Sequence, residues 1–315
     1  MTSKGVVIAL GGNAIIKEGE RGTVPQQFEH TLETMRHVAH MAKAGMTRLV
    51  VTHGNGPQMG SMMLRAELAT SILPPLPMAT CVADLQGGMG YMIQQTLCEA
   101  LAAVGLSTPV VTLVTQVEVN GDDPGFQHPS KPIGKFLKES EAKELAHDRG
   151  WIVGSDAGRG WRRMVASPKP LRVVEVEAVR ALLDAGVIPV AVGGGGIPVV
   201  HKGPGVYTGV DAVIDKDLAS AVLGADLGAE LLLILTGVEE VQVSFGKPDA
   251  RALREVTVAD LRQHLENGEF APGSMRPKVE AALLFLERGG QRVVITTPEL
   301  CLEGVRGERG TQIRG

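Results

Sequence analysis

Aromatic residues make up only 3% of this 315-residue chain. Its core must therefore be assembled from Val, Leu, Ile, Ala and Met, within a hydrophobic fraction of 44%. Cysteine is scarce as well. Cys81, Cys98 and Cys301 lie far apart, are odd in number and form no C-x-x-C. That excludes a disulfide framework or a cysteine zinc site as the organising device, and it fits a reducing compartment. Positive charge is not in excess: the net charge is −4, which argues against nucleic acid or an anionic membrane as the main partner. Long apolar runs are missing too. The opening MTSKGVVIALGGN is too short for a signal-peptide core and nothing else approaches membrane-spanning length, so a cytoplasmic protein is expected.

Several catalytic signatures are also lacking. There is no G-x-x-x-x-G-K-[ST], no complete G-x-G-x-x-G and no G-x-S-x-G. Walker-type phosphate loops, a dinucleotide fold and serine hydrolysis therefore have no support. No combination of His, Cys, Asp and Glu has the spacing of a metal site; His30, His37 and His40 share one helical segment without a further ligand.

What is present is an alternation. Short β-branched runs at 5–10, 48–52, 109–114, 187–192, 230–235 and 291–296 are expected strands. Amphipathic patterns at 26–44, 57–70, 84–104, 174–185, 216–224, 257–266 and 277–288 are expected helices. Strand and helix in turn imply an α/β fold with a largely parallel sheet covered on both faces. Residues 119–170 break the rhythm. They are rich in Pro, Gly and charge, hold Trp151 and Trp161, and show no helix or strand period over DDPGFQHPSKPIGKF. A small ordered lobe acting as a lid is expected there.

Three expected strands run straight into glycine-rich turns: GGN at 11–13, HGNG at 53–56 and GGGG at 193–196. In open parallel sheets, ligands bind at the carboxyl ends of the strands, and glycines there bare backbone N–H groups to an anion. Two lysines sharpen the reading. Asp215 or a neighbour suits a helix cap, leaving Lys216 in the first turn, and Pro277 suits a first helical position, placing Lys278 in another first turn. A cation facing the positive end of a helix dipole is disfavoured by up to about 1 kcal/mol. Two such placements point to a strongly anionic ligand held between two helix N-termini.

The segments ALGGNAI (9–15), VVTHGNGPQMG (50–60), VAVGGGGIPVV (190–200), GVDAVIDKDLAS (209–220), LLILTGVEEV (232–241) and GSMRPKVEAA (273–282) together resemble the carbamate kinases of the amino acid kinase superfamily. The resemblance extends from residue 6 to the C-terminus, and DPGFQHPSKPIG (123–134) is similar to that family's protruding subdomain. It implies a single α/β/α sandwich domain around an eight-stranded, mostly parallel sheet. An N-terminal phosphoryl-acceptor lobe would span 1–200 with an inserted subdomain at 119–170, and a nucleotide lobe would span 201–315. The implied reaction is Mg²⁺-dependent, reversible phosphoryl transfer between ATP and carbamate, giving ADP and carbamoyl phosphate, within arginine fermentation and in a homodimer.

Carried over residue by residue, the resemblance assigns catalysis to Lys131, Lys216 and Lys278, with Asp215 orienting Lys216 and Lys278. It assigns Gly11, Gly12, Asn13, Gly54 and Asn55 to carbamoyl phosphate, and Gly194, Gly195, Thr236, Gly237, Val238 and Met275 to the nucleotide. Mg²⁺ is expected to be held by nucleotide phosphates and water, not by the protein. Lys135, Leu137 and Arg276 depart from the family pattern, and Lys135 and Arg276 are expected to add charge near the site. Competing readings are another carboxylate kinase, acting on a substrate such as N-acetylglutamate, or a non-catalytic nucleotide-binding regulator. Ala9 and the 119–170 insertion disfavour the first, and the three lysines disfavour the second.

Overall fold

The structure is a computed structural model that describes residues 5–12, 15–16, 20–156 and 160–315. Its centre is an eight-stranded sheet with the order Glu255–Thr257, Thr311–Arg314, Arg292–Thr296, Leu231–Leu235, Val6–Leu10, Leu49–His53, Ile188–Val190, Val110–Thr112. Six strands run in one direction, and the pair Thr311–Arg314 and Glu255–Thr257 runs in the other.

Side-chain alternation explains why continuous apolar runs form these strands. Along Val6–Leu10, Val7 and Ala9 enter one core cluster, while Val6, Ile8 and Leu10 enter the other. Leu231–Leu235 divides in the same way. A strand buried on both faces has no polar side to show. One face is covered by helices Val24–Lys43 and Met78–Ala103, through residues such as Met35, Val38, Ile93 and Leu97. The opposite face is covered by helices Val176–Asp184, Lys216–Leu227, Val258–Glu266 and Met275–Glu287. The three-layer α/β/α fold expected from the sequence is thus observed.

Residues 119–170 hold ordered elements, and they depart from the sequence reading over DDPGFQHPSKPIGKF, where no period was legible. In place of an aperiodic stretch there is a three-stranded antiparallel sheet of Lys131–Leu137, Trp161–Val165 and Val153–Ser155. Helix Glu139–Arg149, ended by left-handed Gly150, accompanies it. Lys131–Leu137 hides its period because its register shifts between Ile133 and Leu137 and because Gly134 takes φ 79°.

This small sheet is docked on helix Gly56–Leu68. A Cβ on Gly60 would lie 2.0 Å from the Gly134 Cα, so the two backbones touch where both residues lack side chains. Seven residues further along the same helix, Glu67 accepts the Trp151 indole N–H at 3.1 Å and pairs with Arg163. The Arg163 guanidinium in turn lies 4.8 Å from the Trp151 ring centre. A four-stranded sheet of Val206–Gly209, Ile197–Gly203, Gln116–Val119 and Pro170–Val173 and a two-stranded sheet of Val241–Val243 and Arg251–Leu253 are also present.

Candidate active site

Because the strands Val6–Leu10, Leu49–His53 and Ile188–Val190 run parallel and close together, their carboxyl ends open onto one edge. There a cavity of about 150 Å³ is lined by residues from the glycine turns, two helix starts and the small sheet. Gly11, Gly12, Gly54, Asn55 and Gly194 contribute from the glycine turns, and Lys216 and Lys278 from two helix starts. Lys131 and Arg162 come from the small sheet. Asn13 lies outside the described residues.

The glycines have different physical reasons. A Cβ on Gly11 would sit 2.7 Å from the Leu235 carbonyl oxygen, so the neighbouring strand excludes one. At Gly12 no described residue lies within 4 Å of a Cβ position, and Gly12 lines the cavity. In GGGG only Gly194 lines the cavity. Cβ atoms at Gly193, Gly194, Gly195 and Gly196 would collide with His53, Asn55, the Ile214 carbonyl and Val117, at 2.2–2.5 Å. The run is therefore chiefly a close-packing device, with one residue facing the ligand space.

The turn entering GGGG is strained. Val192 adopts φ 53° and ψ 35°, a left-handed conformation that a β-branched residue avoids. It is held by its N–H donating to Thr115 Oγ1 at 2.7 Å. Gln86, fully buried on helix Met78–Ala103, clamps the same turn. Its Nε2 donates to the carbonyls of Thr115 and Gly193, both at 3.0 Å, and its Oε1 accepts the Thr115 N–H at 2.8 Å.

Asn55 precedes helix Gly56–Leu68 and is 3% exposed. Among the described residues its Nδ2 has no acceptor, although Asn55 lines the cavity. An orphaned buried donor is costly unless a ligand supplies the acceptor.

Asp215 caps helix Lys216–Leu227, accepting the N–H groups of Asp217 and Leu218 at 2.9 and 3.3 Å. This leaves Lys216 as the first helical residue. The helix of Lys278 begins earlier than expected, at Met275, so Pro277 is its third residue and Lys278 its fourth, still within the first turn. The two helices pack together through Gly224 against the Phe285 ring, which brings their N-termini to one place.

The pairing of charges corrects the expectation for Asp215. Asp217, not Asp215, joins the two lysines, at 2.5 Å to Lys216 and 3.1 Å to Lys278. Asp215 instead pairs with Lys131 at 2.5 Å, tying the small sheet to the cap of the Lys216 helix. Lys216 also donates to the Ala9 carbonyl at 3.3 Å.

These contacts shape the titrations. Burial opposes ionisation of Asp217, but the Lys216 and Lys278 ammonium groups outweigh it and hold the carboxyl well below the usual range. Burial pushes the Lys216 amine down, against the pull of Asp217 and with a further push from Lys278. At Lys278 burial also pushes down, yet the Asp217 and Asp215 carboxylates raise the amine above its ordinary value. Burial lowers His53 to about 4, so its imidazole is neutral near pH 7.

Four cations (Lys131, Lys216, Lys278 and Arg162) thus meet three carboxylates, Asp215, Asp217 and Asp156. The net positive charge, the helix N-termini and the orphaned amide suit a phosphorylated anion. Among the described residues no cluster of three or more His, Cys, Asp and Glu is placed to hold a metal ion.

Gly195, Thr236, Gly237, Val238 and Met275 do not line this cavity. Thr236 lies beside it, its Cα 3.6 Å from the Cβ position of Gly11. Met275 packs at the edge of the core. Two expected charges point elsewhere: Lys135 pairs with Glu141 at 3.1 Å and Arg276 with Glu280 at 2.8 Å, both on the surface. Leu137 is buried. Asp217, Arg162 and Gln86 were not singled out by sequence; only the D-K-D pattern at 215–217 hints at the first.

Fold and site define a phosphate-handling α/β protein of a recognisable class. Residues 4–297 match the amino acid kinase family. Over 314 residues the chain is 49% identical to a carbamate kinase-like protein of Escherichia coli, YahI, covering 98% of both chains. It is 45% identical to the carbamate kinase of Thermococcus kodakarensis, covering 98% of this chain and 99% of the other. The Giardia lamblia carbamate kinase bound to citric acid superposes with a TM-score of 0.94 at 38% identity, over 99% of both chains. The same enzyme bound to AMP-PNP gives 0.88 at 39% identity, again over 99% of both. The chain belongs to the amino acid kinase family, in its group of carbamate kinases and carbamate kinase-like proteins.

Proposed function

We propose that this kinase transfers a phosphoryl group reversibly between Mg-ATP and carbamate. The observation that carries the reading is convergence: Lys131, Lys216 and Lys278, from three separate elements, line one cavity with the glycine turns and Asn55, whose amide has no partner among the described residues.

The chemistry needs what the site offers. Carbamoyl phosphate (charge −2) and ADP (−3) give ATP (−4) and carbamate (−1), so charge balances without a proton. The bond between phosphorus and the bridging oxygen breaks, its electron pair stays with carbamate, and an oxygen of the ADP β-phosphate attacks phosphorus. No general base is required, and neutral, enclosed His53 is not asked to be one. The difficulty is bringing two anions together, and positioning with electrostatic stabilisation supplies nearly all such catalysis.

Lys216 and Lys278, fixed by Asp217, would bear on the transferred phosphoryl oxygens, with Asn55 Nδ2 and the backbone around Gly12 and Gly194 completing the pocket. Lys131 reaches the same space from the small sheet. Mg²⁺ would enter as part of the nucleotide substrate, coordinated by phosphates and water, because Asp215 and Asp217 are already engaged with lysines.

The test is a luciferase readout of ATP from ADP and Mg²⁺, with carbamoyl phosphate and acetyl phosphate compared as donors. A clear preference for carbamoyl phosphate is expected. No ATP from either donor would remove the reading, and preference for acetyl phosphate would redirect it to another acyl phosphate.

A further inference from the structure

Among the cavity's charged residues, Arg162 has no place in the phosphoryl chemistry just described. It lies on the Trp161–Val165 strand and is 8% exposed. Three features fix its guanidinium. Nη1 donates to Asp156 Oδ2 at 3.0 Å, and Asp156 is itself 3% exposed. The Phe136 ring lies beneath it, 5.2 Å from the guanidinium carbon. Nη2 reaches the first residue of helix Gly56–Leu68, coming within 3.5 Å of the position a Cβ on Gly56 would occupy.

The last contact is unexpected on folding grounds alone. It brings a cation to the N-terminus of a helix, whose dipole favours anions. The same helix start carries Asn55, whose buried amide has no partner among the described residues. A guanidinium and an orphaned donor at one helix N-terminus, both lining the cavity, call for an anion between them.

The geometry of the donors says which part of the substrate each cation suits. Ammonium groups are compact point charges that serve a tetrahedral phosphoryl group. A guanidinium is a planar fork that matches two coplanar oxygens. Among the described lining residues Arg162 alone offers such a fork. Resting on the proposed carbamate kinase reading, we infer that Arg162 binds the planar acyl end of the substrate, its carbonyl and bridging oxygens. As the P–O bond breaks, the bridging oxygen gains the charge of the departing carbamate, and the guanidinium meets it. Arg162 is thereby a specificity-determining residue for the carboxyl side, separate from the three lysines.

The experiment measures steady-state ATP formation by wild type, R162K and F136A, with inorganic phosphate as a competitive inhibitor against carbamoyl phosphate. Wild-type turnover reports on the kinase reading by itself. If wild type makes ATP, R162K is expected to raise the KM for carbamoyl phosphate at least 30-fold, while the KM for Mg-ADP and the inhibition constant of phosphate stay within threefold. F136A alters a residue that is 44% exposed, so the fold should tolerate it, and loosening the guanidinium should raise the same KM about two- to fivefold. An R162K enzyme with an unchanged carbamoyl phosphate KM would overturn the inference. So would a parallel loss of phosphate and ADP affinity, which is the pattern of a purely structural role. Should R162K fail to fold, F136A decides alone: an unchanged KM for carbamoyl phosphate refutes the assignment.

Discussion

Replacing Asp217 by Asn probes the arrangement that holds the site together. Asp217 is 2% exposed and lies between two ammonium groups, at 2.5 and 3.1 Å. With an effective dielectric of ~20, each attraction is worth about 5–7 kcal/mol. Relief from burying the carboxylate offsets much of that sum. Removing one member of a buried ionic group nevertheless costs about 3–5 kcal/mol, because the remaining charges stay buried without a counterion. A fall of roughly 5–15 °C in the thermal midpoint is expected.

The pH dependence gives the sign. The Asp217 carboxyl is held below its ordinary value, so its contribution to stability is present above ~3.9 and is lost as pH falls through the depressed folded value. The gap in stability between wild type and D217N should therefore be full at pH 7 and shrink in strong acid. Phosphate should also stabilise D217N more than it stabilises wild type, since a bound anion replaces the missing counterion. The assays are urea denaturation at several pH values and thermal shift with phosphate. A D217N protein as stable as wild type at pH 7, with no extra response to phosphate, would refute the ionic account.

Other outcomes follow from the same structure. Gly60→Ala places a methyl 2.0 Å from the Gly134 backbone, so about 1–3 kcal/mol of docking should be lost and kcat should fall at least tenfold through Lys131, with nucleotide binding kept; unchanged kcat would contradict this. Gln86→Leu leaves the Thr115 and Gly193 groups unpaired and should cost about 2–4 kcal/mol in urea denaturation, while a neutral effect would show that the clamp is idle. Of the three thiols, Cys98 is exposed, whereas burial pushes Cys81 up and Cys301 up to about 12. One thiol should therefore react quickly with a disulfide reagent in the native protein and two only on unfolding; three equal rates would count against the buried placements.

The parts of the fold visible in the sequence were those with strong, local signals. Doubly buried runs such as VVIAL and LLLIL became central strands because no polar alternation was needed. The glycine turns were readable as a ligand edge because each followed such a run. Strands with weak or mixed signals were not visible: KPIGKFL carries proline and a left-handed glycine, and its pairing partner lies some 30 residues away, at Trp161–Val165. Lys216 and Lys278 could be found because each sits at an identifiable helix start. Arg162 could not, since its place depends on how the small sheet docks through Gly60, Gly134 and Glu67. GGGG was the most misleading feature. It looked like four backbone amides offered to phosphate, whereas packing against His53, Ile214 and Val117 explains three of the glycines.

The central claim is that the three lysines converge on a phosphoryl group passing from carbamoyl phosphate to ADP. Phosphorus NMR of carbamoyl phosphate, ADP and Mg²⁺ with wild type, K131A, K216A and K278A follows that group directly. In wild type the carbamoyl phosphate signal should be replaced by the γ-phosphate signal of ATP, and K216A and K278A should each slow the transfer at least a hundredfold, or about 2.7 kcal/mol in the barrier, while remaining folded. Release of inorganic phosphate without ATP, or lysine variants as fast as wild type, would contradict the account.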